Sequence, residues 1–235
     1  MTQPSLFLIP VPLGDTDHRK VLPDYNREII GLIKHFIVED VRTARRFLIK
    51  NNPAIVIDDI QFYTLNQQTP PEEVSDYLSP LAKGESVGLL SESGCPAVAD
   101  PGADIVAIAH QMNYRVAPLV GPSALLMALM ASGFNGQHFA FHGYLPIDAS
   151  ERQKRIRKLE SRMYAEFQTQ LFIETPYRNN RLMEDLVRLC HPATKLCVAT
   201  NITCDDESIR TRTVKEWAND MPDLNKKPTL FLMYK

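Results

Sequence analysis

The stretch LSESGCPAVADPG, residues 90–102, gathers the groups best able to do chemistry. Ser91, Glu92, Ser93 and Asp100 set hydroxyls and carboxylates among Gly94, Val98, Ala99 and Gly102, with little bulk between them. Such a mixture suits a polar ligand rich in hydroxyls and amines. Small residues let the backbone approach that ligand, because a Cβ would collide with it. A loop built only to turn needs far less. Three other stretches share this character: PVPLGD (10–15), with Pro12 and Gly14; EDVR (39–42), with Glu39, Asp40 and Arg42; and GPSA (121–124), with Gly121, Pro122, Ser123 and Ala124. The last also offers the free backbone N–H groups of a helix start. ETPYR (174–178) adds Glu174 and Arg178 beyond a further strand.

Plainer readings stand beside these. GPSA can be an ordinary helix start, and EDVR an acidic cap followed by a solvated arginine. DPGAD can open a helix with Asp100 as N-cap and Pro101 at the first helical position. No G-x-G-x-x-G is present, so a dinucleotide fingerprint lacks support, and there is no P-loop. Cys95, Cys190, Cys197 and Cys204 form no C-x-x-C pair. They read as small buried hydrophobes rather than metal ligands or redox thiols. His35, His138, His142 and Trp217 read as packing residues, while Tyr63 and Tyr114 carry no signal. The basic run RQKRIRK (152–158) is either a solvated helix face or a contact for RNA phosphates, which would make binding salt-dependent.

The elements that would position these groups alternate between strand-like and helix-like. Strands are expected at 5–11, 35–38, 86–91 and 115–120, with helices at 41–51, 70–84, 103–112 and 122–133. The 41–51 helix puts Val41, Ala44, Phe47 and Leu48 on one face, and 122–133 reads as a buried helix. This first half is βαβ-like and predicts a mainly parallel sheet. In such sheets ligands bind beyond the carboxyl ends of the strands, where four of the polar stretches fall. The second half mixes strands at 138–145, 169–174, 195–202, 207–214 and 229–234 with helices at 149–167 and 179–190. The expected architecture is two α/β domains, 1–121 with a mainly parallel sheet and 122–235 with a mixed one.

Bulk properties limit the function classes. The chain has 235 residues and a formal net charge of −2, with a pI near 6.3. That length allows two small domains or one large one. The charge does not suggest a general nucleic-acid binder, although a local basic patch stays open. The N-terminus lacks a basic region and its apolar run is broken by prolines, so it is a poor signal peptide. No apolar run approaches the roughly 18 residues of a membrane span. A cytoplasmic protein is expected.

Taken in order, PVPLGD, EDVR, SESGCPAVADPG, VGPSA, HGYLP and IETPYR resemble six motifs of one family. These are the P-T-P-I-G-N, E-D-T-R, S-D-A-G-T-P…S-D-P-G, P-G-P-S-A, G-F-L-P and Y-E-S…R of ribosomal RNA small subunit methyltransferase I, in the tetrapyrrole-methylase superfamily. The similarity runs nearly end to end. It implies methyl transfer from S-adenosylmethionine, bound in a cleft between the two domains, usually by a homodimer; the cysteine spacing already argues against a metal. By resemblance, Pro12, Gly14, Ser91, Glu92, Ser93, Gly94, Val98, Ala99 and Asp100 would line the donor site. Gly121, Pro122, Ser123 and Ala124 would close another wall. Tyr144, Leu145, Glu174 and Thr175 would add the second domain's side. Glu39 and Arg42, with Glu174 and Arg178, would face the acceptor, and Glu39, Asp40, Glu92, Asp100 and Glu174 are the candidates for a general base.

The departures fall on the acceptor side. The family's R-E-L-T-K appears as Thr200-Asn201-Ile202-Thr203-Cys204, its K-G-E as Lys227-Pro228-Thr229, and its histidine- and asparagine-containing segment as Leu65-Asn66-Gln67-Gln68. Glu92 stands where the family has aspartate. Three functions are therefore weighed: ribose 2′-O-methylation of 16S rRNA in the small ribosomal subunit, methylation of a tetrapyrrole-like or other small acceptor, and donor binding without turnover by a degenerate relative acting as an RNA-binding or assembly module.

Overall fold

The computed structural model describes residues 3–65, 69–100 and 102–235. The expected Asn66–Gln68 segment and the placement of Pro101 at a helix start lie outside the described residues. The chain divides into two compact units, Met1–Ser123 and Ala124–Lys235.

In the first unit, β1 (Ser5–Ile9), β2 (His35–Val38), β3 (Gln61–Thr64), β4 (Val87–Leu90) and β5 (Arg115–Pro118) form a sheet in the order β3-β2-β4-β1-β5. Every pairing is parallel. The helices are α1 (His18–Val21), α2 (Asp24–Ile30), α3 (Val41–Asn51), α4 (Pro71–Asp76), α5 (Ser79–Ala82) and α6 (Ala103–Gln111). Neighbouring residues point to opposite faces of a strand. Phe7, Ile9, Phe36 and Val38 pack with Ile30 of α2 and Leu48 of α3. Leu6, Ile37, Val87 and Leu89 pack with Leu78 and with Ile105 of α6. Both faces are covered, which is why these strands read as continuous apolar runs.

The second unit contains α7 (Ala124–Ser132), β6 (Phe139–Tyr144), α8 (Ala149–Glu166), β7 (Thr169–Ile173), α9 (Asn179–Leu189), β8 (Lys195–Thr200), β9 (Ser208–Thr213), α10 (Val214–Asn219) and β10 (Thr229–Tyr234). Its sheet has the order β6-β7-β10-β8-β9. Within this sheet β6 and β7 pair in parallel and the other described pairings are antiparallel. Ile156 and Leu159 of α8, Leu182 and Leu186 of α9 and Trp217 of α10 pack with Phe172 and Phe231. The Trp217 indole donates to the Leu196 carbonyl at 3.0 Å, a packing role as expected. Thr211 Oγ1 of β9 donates to the carbonyl of Ser132 at the end of α7, at 2.8 Å.

Several expectations are corrected. The single helix over 70–84 is two, α4 and α5, because Pro80 lacks the N–H that a continuous helix needs there. The apolar α7 is not buried throughout: Leu126 is 53% exposed and Met130 83%. The basic run on α8 is not one solvated or phosphate-facing surface. Arg152 is buried, with Nε donating to Asp185 Oδ2 at 2.8 Å and Nη1 to the Ile147 carbonyl at 2.7 Å. His138 and His142 are links in a chain of hydrogen bonds. Arg155 Nη2 lies 3.1 Å from His142 Nδ1, and His142 Nε2 lies 2.6 Å from Gln170 Oε1. Gln168 then lies 2.8 Å from His138 Nε2, whose Nδ1 meets the Glu166 carbonyl. Among the described residues no helix is long and apolar enough to cross a membrane.

Candidate functional site

Because β2, β4, β1 and β5 are adjacent and parallel, their carboxyl ends open on one edge of the first sheet. The loops at 10–15, 39–40, 91–102 and 119–123 therefore meet, and the structure stitches them together. Val11 and Gly94 exchange backbone hydrogen bonds at 3.0 and 3.2 Å. Ser93 Oγ donates to the Leu13 carbonyl at 3.3 Å. Cys95 Sγ donates to the Pro122 carbonyl at 3.4 Å. Ser91, which is buried, accepts from Ser93 N at 3.2 Å and donates to its carbonyl at 3.0 Å, folding the start of the long loop on itself. Val11 and Leu13 thus help to build the rim through backbone, which side-chain type does not advertise. Cys95, expected as a buried hydrophobe, is half-buried because its thiol reaches the rim, and Cys204 is half-buried too.

Backbone conformation sets this loop apart. Ala97 and Ala99 have φ of 63° and 58°. L-residues other than Asn and Asp seldom adopt that region, and such strain concentrates where surrounding structure holds a loop for a purpose. Val98 and Ala99 are exposed on it. Gly94 (φ 73°) needs the conformational freedom it has. Gly121 needs close approach instead: a Cβ there would stand 2.3 Å from the Cβ of Pro10.

Three carboxylates converge on this edge. The Glu39 carboxyl, at the end of β2, forms a hydrogen bond with the Asp100 side chain from the loop after β4. Burial raises the Glu39 pKa to about 8, reinforced by that hydrogen bond and by the charges of Asp100 and Glu92. Asp100 Oδ2 is buried and has no permanent donor. Glu92 is drawn onto the start of α3, where it accepts from the Asp40 N–H and the Thr43 hydroxyl; desolvation still leaves its pKa above the ordinary carboxylate range. Thr43 is a site residue the sequence reading passed over. Its only signal is its place three residues after Asp40, whose Oδ1 accepts from Thr43 N at 2.7 Å.

Both readings of EDVR are therefore present. Asp40 is the N-cap of α3, Glu39 joins the carboxylate cluster, and Arg42 is exposed one residue into the helix. Asp100, in contrast, does not cap α6: Gly102 occupies that position without a side-chain hydrogen bond. Asp100 is thereby left to Glu39.

The second unit brings a separate group together where β7 and β8 end and β10 begins. Glu174 is buried, and its Oε1 accepts from Thr175 N and from Arg178 Nη2, both at 2.6 Å. Asn179 Nδ2 donates to the Lys227 carbonyl at 2.7 Å, and Asn201 N to the Pro228 carbonyl at 3.0 Å. Asn201 and Thr203 have φ of 50° and 73°, so 200–204 is a tight turn; the Thr203 hydroxyl within it is buried without a partner among the described residues. Asn201 reaches Asp206 at 2.7 Å, and Thr203 N reaches Glu207 at 2.7 Å. Tyr144 is 59% exposed, whereas the Leu145 side chain is buried in the core of this unit. Only the backbone of Leu145 is left to contact a ligand. No group of three metal-ligating side chains occurs among the described residues.

No family model matches the chain. Curated proteins do. Ribosomal RNA small subunit methyltransferase I of Mesorhizobium japonicum is 30% identical over 224 residues, covering 92% of this chain and 70% of its own. The protein of that name from Vibrio cholerae is 26% identical over 210 residues, covering 88% and 68%. Among solved structures, the methyltransferase CobJ superposes with a TM-score of 0.65 over 99% of this chain and 94% of its own, at 14% identity. The cobalamin biosynthetic enzyme cobalt precorrin-4 methyltransferase, CbiF, gives 0.62 over 98% and 94%, also at 14% identity. At that identity the two structures speak for the fold, with its one parallel and one mixed sheet.

Proposed function

The chain belongs to the family of ribosomal RNA small subunit methyltransferase I, and from that premise we propose that it is an S-adenosylmethionine-dependent methyltransferase acting on a ribose 2′-hydroxyl of 16S rRNA in the small ribosomal subunit. The observation that carries this is the edge of the first sheet. Four small, polar loops are tied into one rim there, around Glu39, Glu92 and Asp100.

The rim fits an adenosylated amino acid. The strained Ala97–Ala99 turn leaves Val98 and Ala99 exposed, Gly94 and Gly121 let the loops close on Leu13 and Pro10, and Glu92 and Asp100 can accept from hydroxyls or an amine. Pro12, Gly14, Ser91, Ser93, Val98, Ala99, Pro122 and Ser123 complete the donor-binding set of the first unit. When bound, S-adenosylmethionine supplies a methyl carbon already activated by its sulfonium. The protein's task is then to orient the acceptor and take its proton. Glu39 is suited to the second part, because a base with a pKa near 8 changes state close to neutral pH. Arg42 is exposed three residues along the chain, and in the second unit Glu174 and Arg178 form an ion pair.

We place the protein in the cytoplasm as a homodimer. The exposed Leu126 and Met130 of α7 favour a partner copy, since apolar side chains left open on an apolar helix mark contact surfaces. One observation favours a different acceptor: Thr200, Asn201, Cys204 and Thr229 stand where the resemblance places the family's charged residues, and Asn201 and Thr203 bond to Asp206 and Glu207 of the same loop. Calorimetric titration with S-adenosylmethionine, followed by incubation with undermethylated small subunits, separates the readings. Micromolar donor binding, about −8 kcal/mol, with label in the rRNA supports the proposal. Donor binding without RNA labelling points to another acceptor, and no donor binding points to a non-catalytic relative.

A further inference from the structure

The positive charge available to hold an RNA backbone is not on α8. There Arg152 is taken by Asp185, Lys154 pairs with Glu151 at 2.8 Å, Arg162 pairs with Glu166 at 2.9 Å, and Arg155 faces His142. Only Arg157 and Lys158 of the run are exposed without an ion pair among the described residues.

The short helix α3 differs. Its buried face is Ala44, Phe47, Leu48 and Asn51. Its outer face carries Arg42, Arg45, Arg46, Ile49 and Lys50, all exposed, and no acidic residue lies within the helix. Residues three and four apart are neighbours on a helix surface, so Arg42 lies next to both Arg45 and Arg46. Like charges at that spacing destabilise a helix, and nothing within α3 offsets them. Among the described residues none of the three arginines forms an ion pair. Lys50 is held by Asp15 at 3.2 Å, and Asp58 and Asp59, exposed in the turn that follows, pair with none of the three. The Arg45 guanidinium rests 5.7 Å from the centre of the Phe62 ring on edge strand β3. A ring face steadies the charge without consuming its N–H donors. Those donors, in a planar fork, match phosphate oxygens. The row begins at Arg42, three residues along the chain from the candidate base Glu39 and in the first turn of the helix that follows it.

We propose that Arg42, Arg45 and Arg46 form a track for RNA phosphates, leading the strand to the carboxylate edge of the first unit. The track rests on the reading of the chain as an rRNA methyltransferase and adds to it the surface that engages the RNA. It also explains how a chain of net charge −2 can bind a polyanion: the cations are grouped rather than numerous.

The test is binding of a fluorescent single-stranded RNA, copied from small-subunit rRNA, across a salt series. The proteins compared are the wild type, R45A/R46A, and R157A/K158A on α8. Arg42 is left intact because it belongs to the candidate site. Each lost phosphate contact lowers the slope of log affinity against log salt by roughly 0.7 for a single strand. R45A/R46A should therefore lower it by about 1.4 and weaken binding about 25-fold at about 0.1 M salt. R157A/K158A should keep the wild-type slope, and all three proteins should bind S-adenosylhomocysteine equally. If R45A/R46A keeps the wild-type slope, or R157A/K158A is the variant that loses it, the track is refuted while the rRNA reading stands. If the wild type binds the donor product but not the RNA, that reading falls and the track with it.

Discussion

The Glu39 carboxyl hydrogen-bonds to the side chain of Asp100, joining the end of β2 to the loop after β4. Two carboxyl groups can share a hydrogen bond only if one holds a proton. Burial and the neighbouring charges place that proton on Glu39, with a pKa of about 8. Glu39 thus changes protonation state near neutral pH at the edge where the four strand-end loops meet.

Turnover should rise with pH as Glu39 deprotonates and level off above a value near 8. The variant E39Q should lower kcat by roughly 10²–10⁴-fold, flatten that limb, and leave S-adenosylhomocysteine affinity little changed. A pH–rate profile of both proteins reads this directly. An E39Q enzyme with the wild-type profile removes Glu39 as the base.

The same group should tune stability in a fixed direction. Its proton is held more tightly in the folded chain than in the unfolded one. The resulting stabilisation is full below the ordinary value of 4.5 and is lost as pH rises to about 8. E39Q lacks this dependence. Its melting temperature relative to wild type should therefore increase from about pH 5 to about pH 9. For a chain of this size, each kcal/mol corresponds to about 2–4 °C. A difference that shrinks with rising pH would have the wrong sign.

Much of this edge was legible in the sequence, for a physical reason. Hydroxyls, carboxylates and glycines after an apolar strand are poor packing material, so PVPLGD, EDVR, SESGCPAVADPG and GPSA stood out. Alternation of strand and helix signals indicated the parallel sheet. What stayed hidden was short or depended on distant partners. β3 is four residues at a sheet edge, α2 is seven residues behind a proline, and α10 follows β9 without a break. The pairing of Glu39 with Asp100 needs β2 and β4 side by side, which no local pattern states. Arg152 looked solvated because its partner, Asp185, lies on another helix.

Gly121→Ala should damage donor binding through backbone displacement. The added Cβ would fall 2.3 Å from the Cβ of Pro10, so the two loops must separate. A stability loss of about 1–3 kcal/mol is expected, with at least ~10-fold weaker S-adenosylhomocysteine binding, which corresponds to about 1.4 kcal/mol. Calorimetry and thermal melting measure the two effects. An alanine variant binding as tightly as wild type means that this approach does not shape the donor site.

Charges on the open face of α7 should break the proposed dimer. L126E/M130E places carboxylates where exposed apolar side chains now stand. Sedimentation should show a wild-type dimer and a folded monomeric variant. A variant that sediments with the wild type shows that α7 lies outside the interface.

The central claim is tested most directly by methyl transfer itself. Small ribosomal subunits lacking the modification are incubated with the protein and radiolabelled S-adenosylmethionine, and labelled rRNA is mapped by reverse transcription at limiting nucleotide, which stalls at 2′-O-methylated ribose. The account predicts label in 16S rRNA, a stall at a discrete position, and loss of both with E39Q. Donor binding accompanied by no label in the RNA would contradict it.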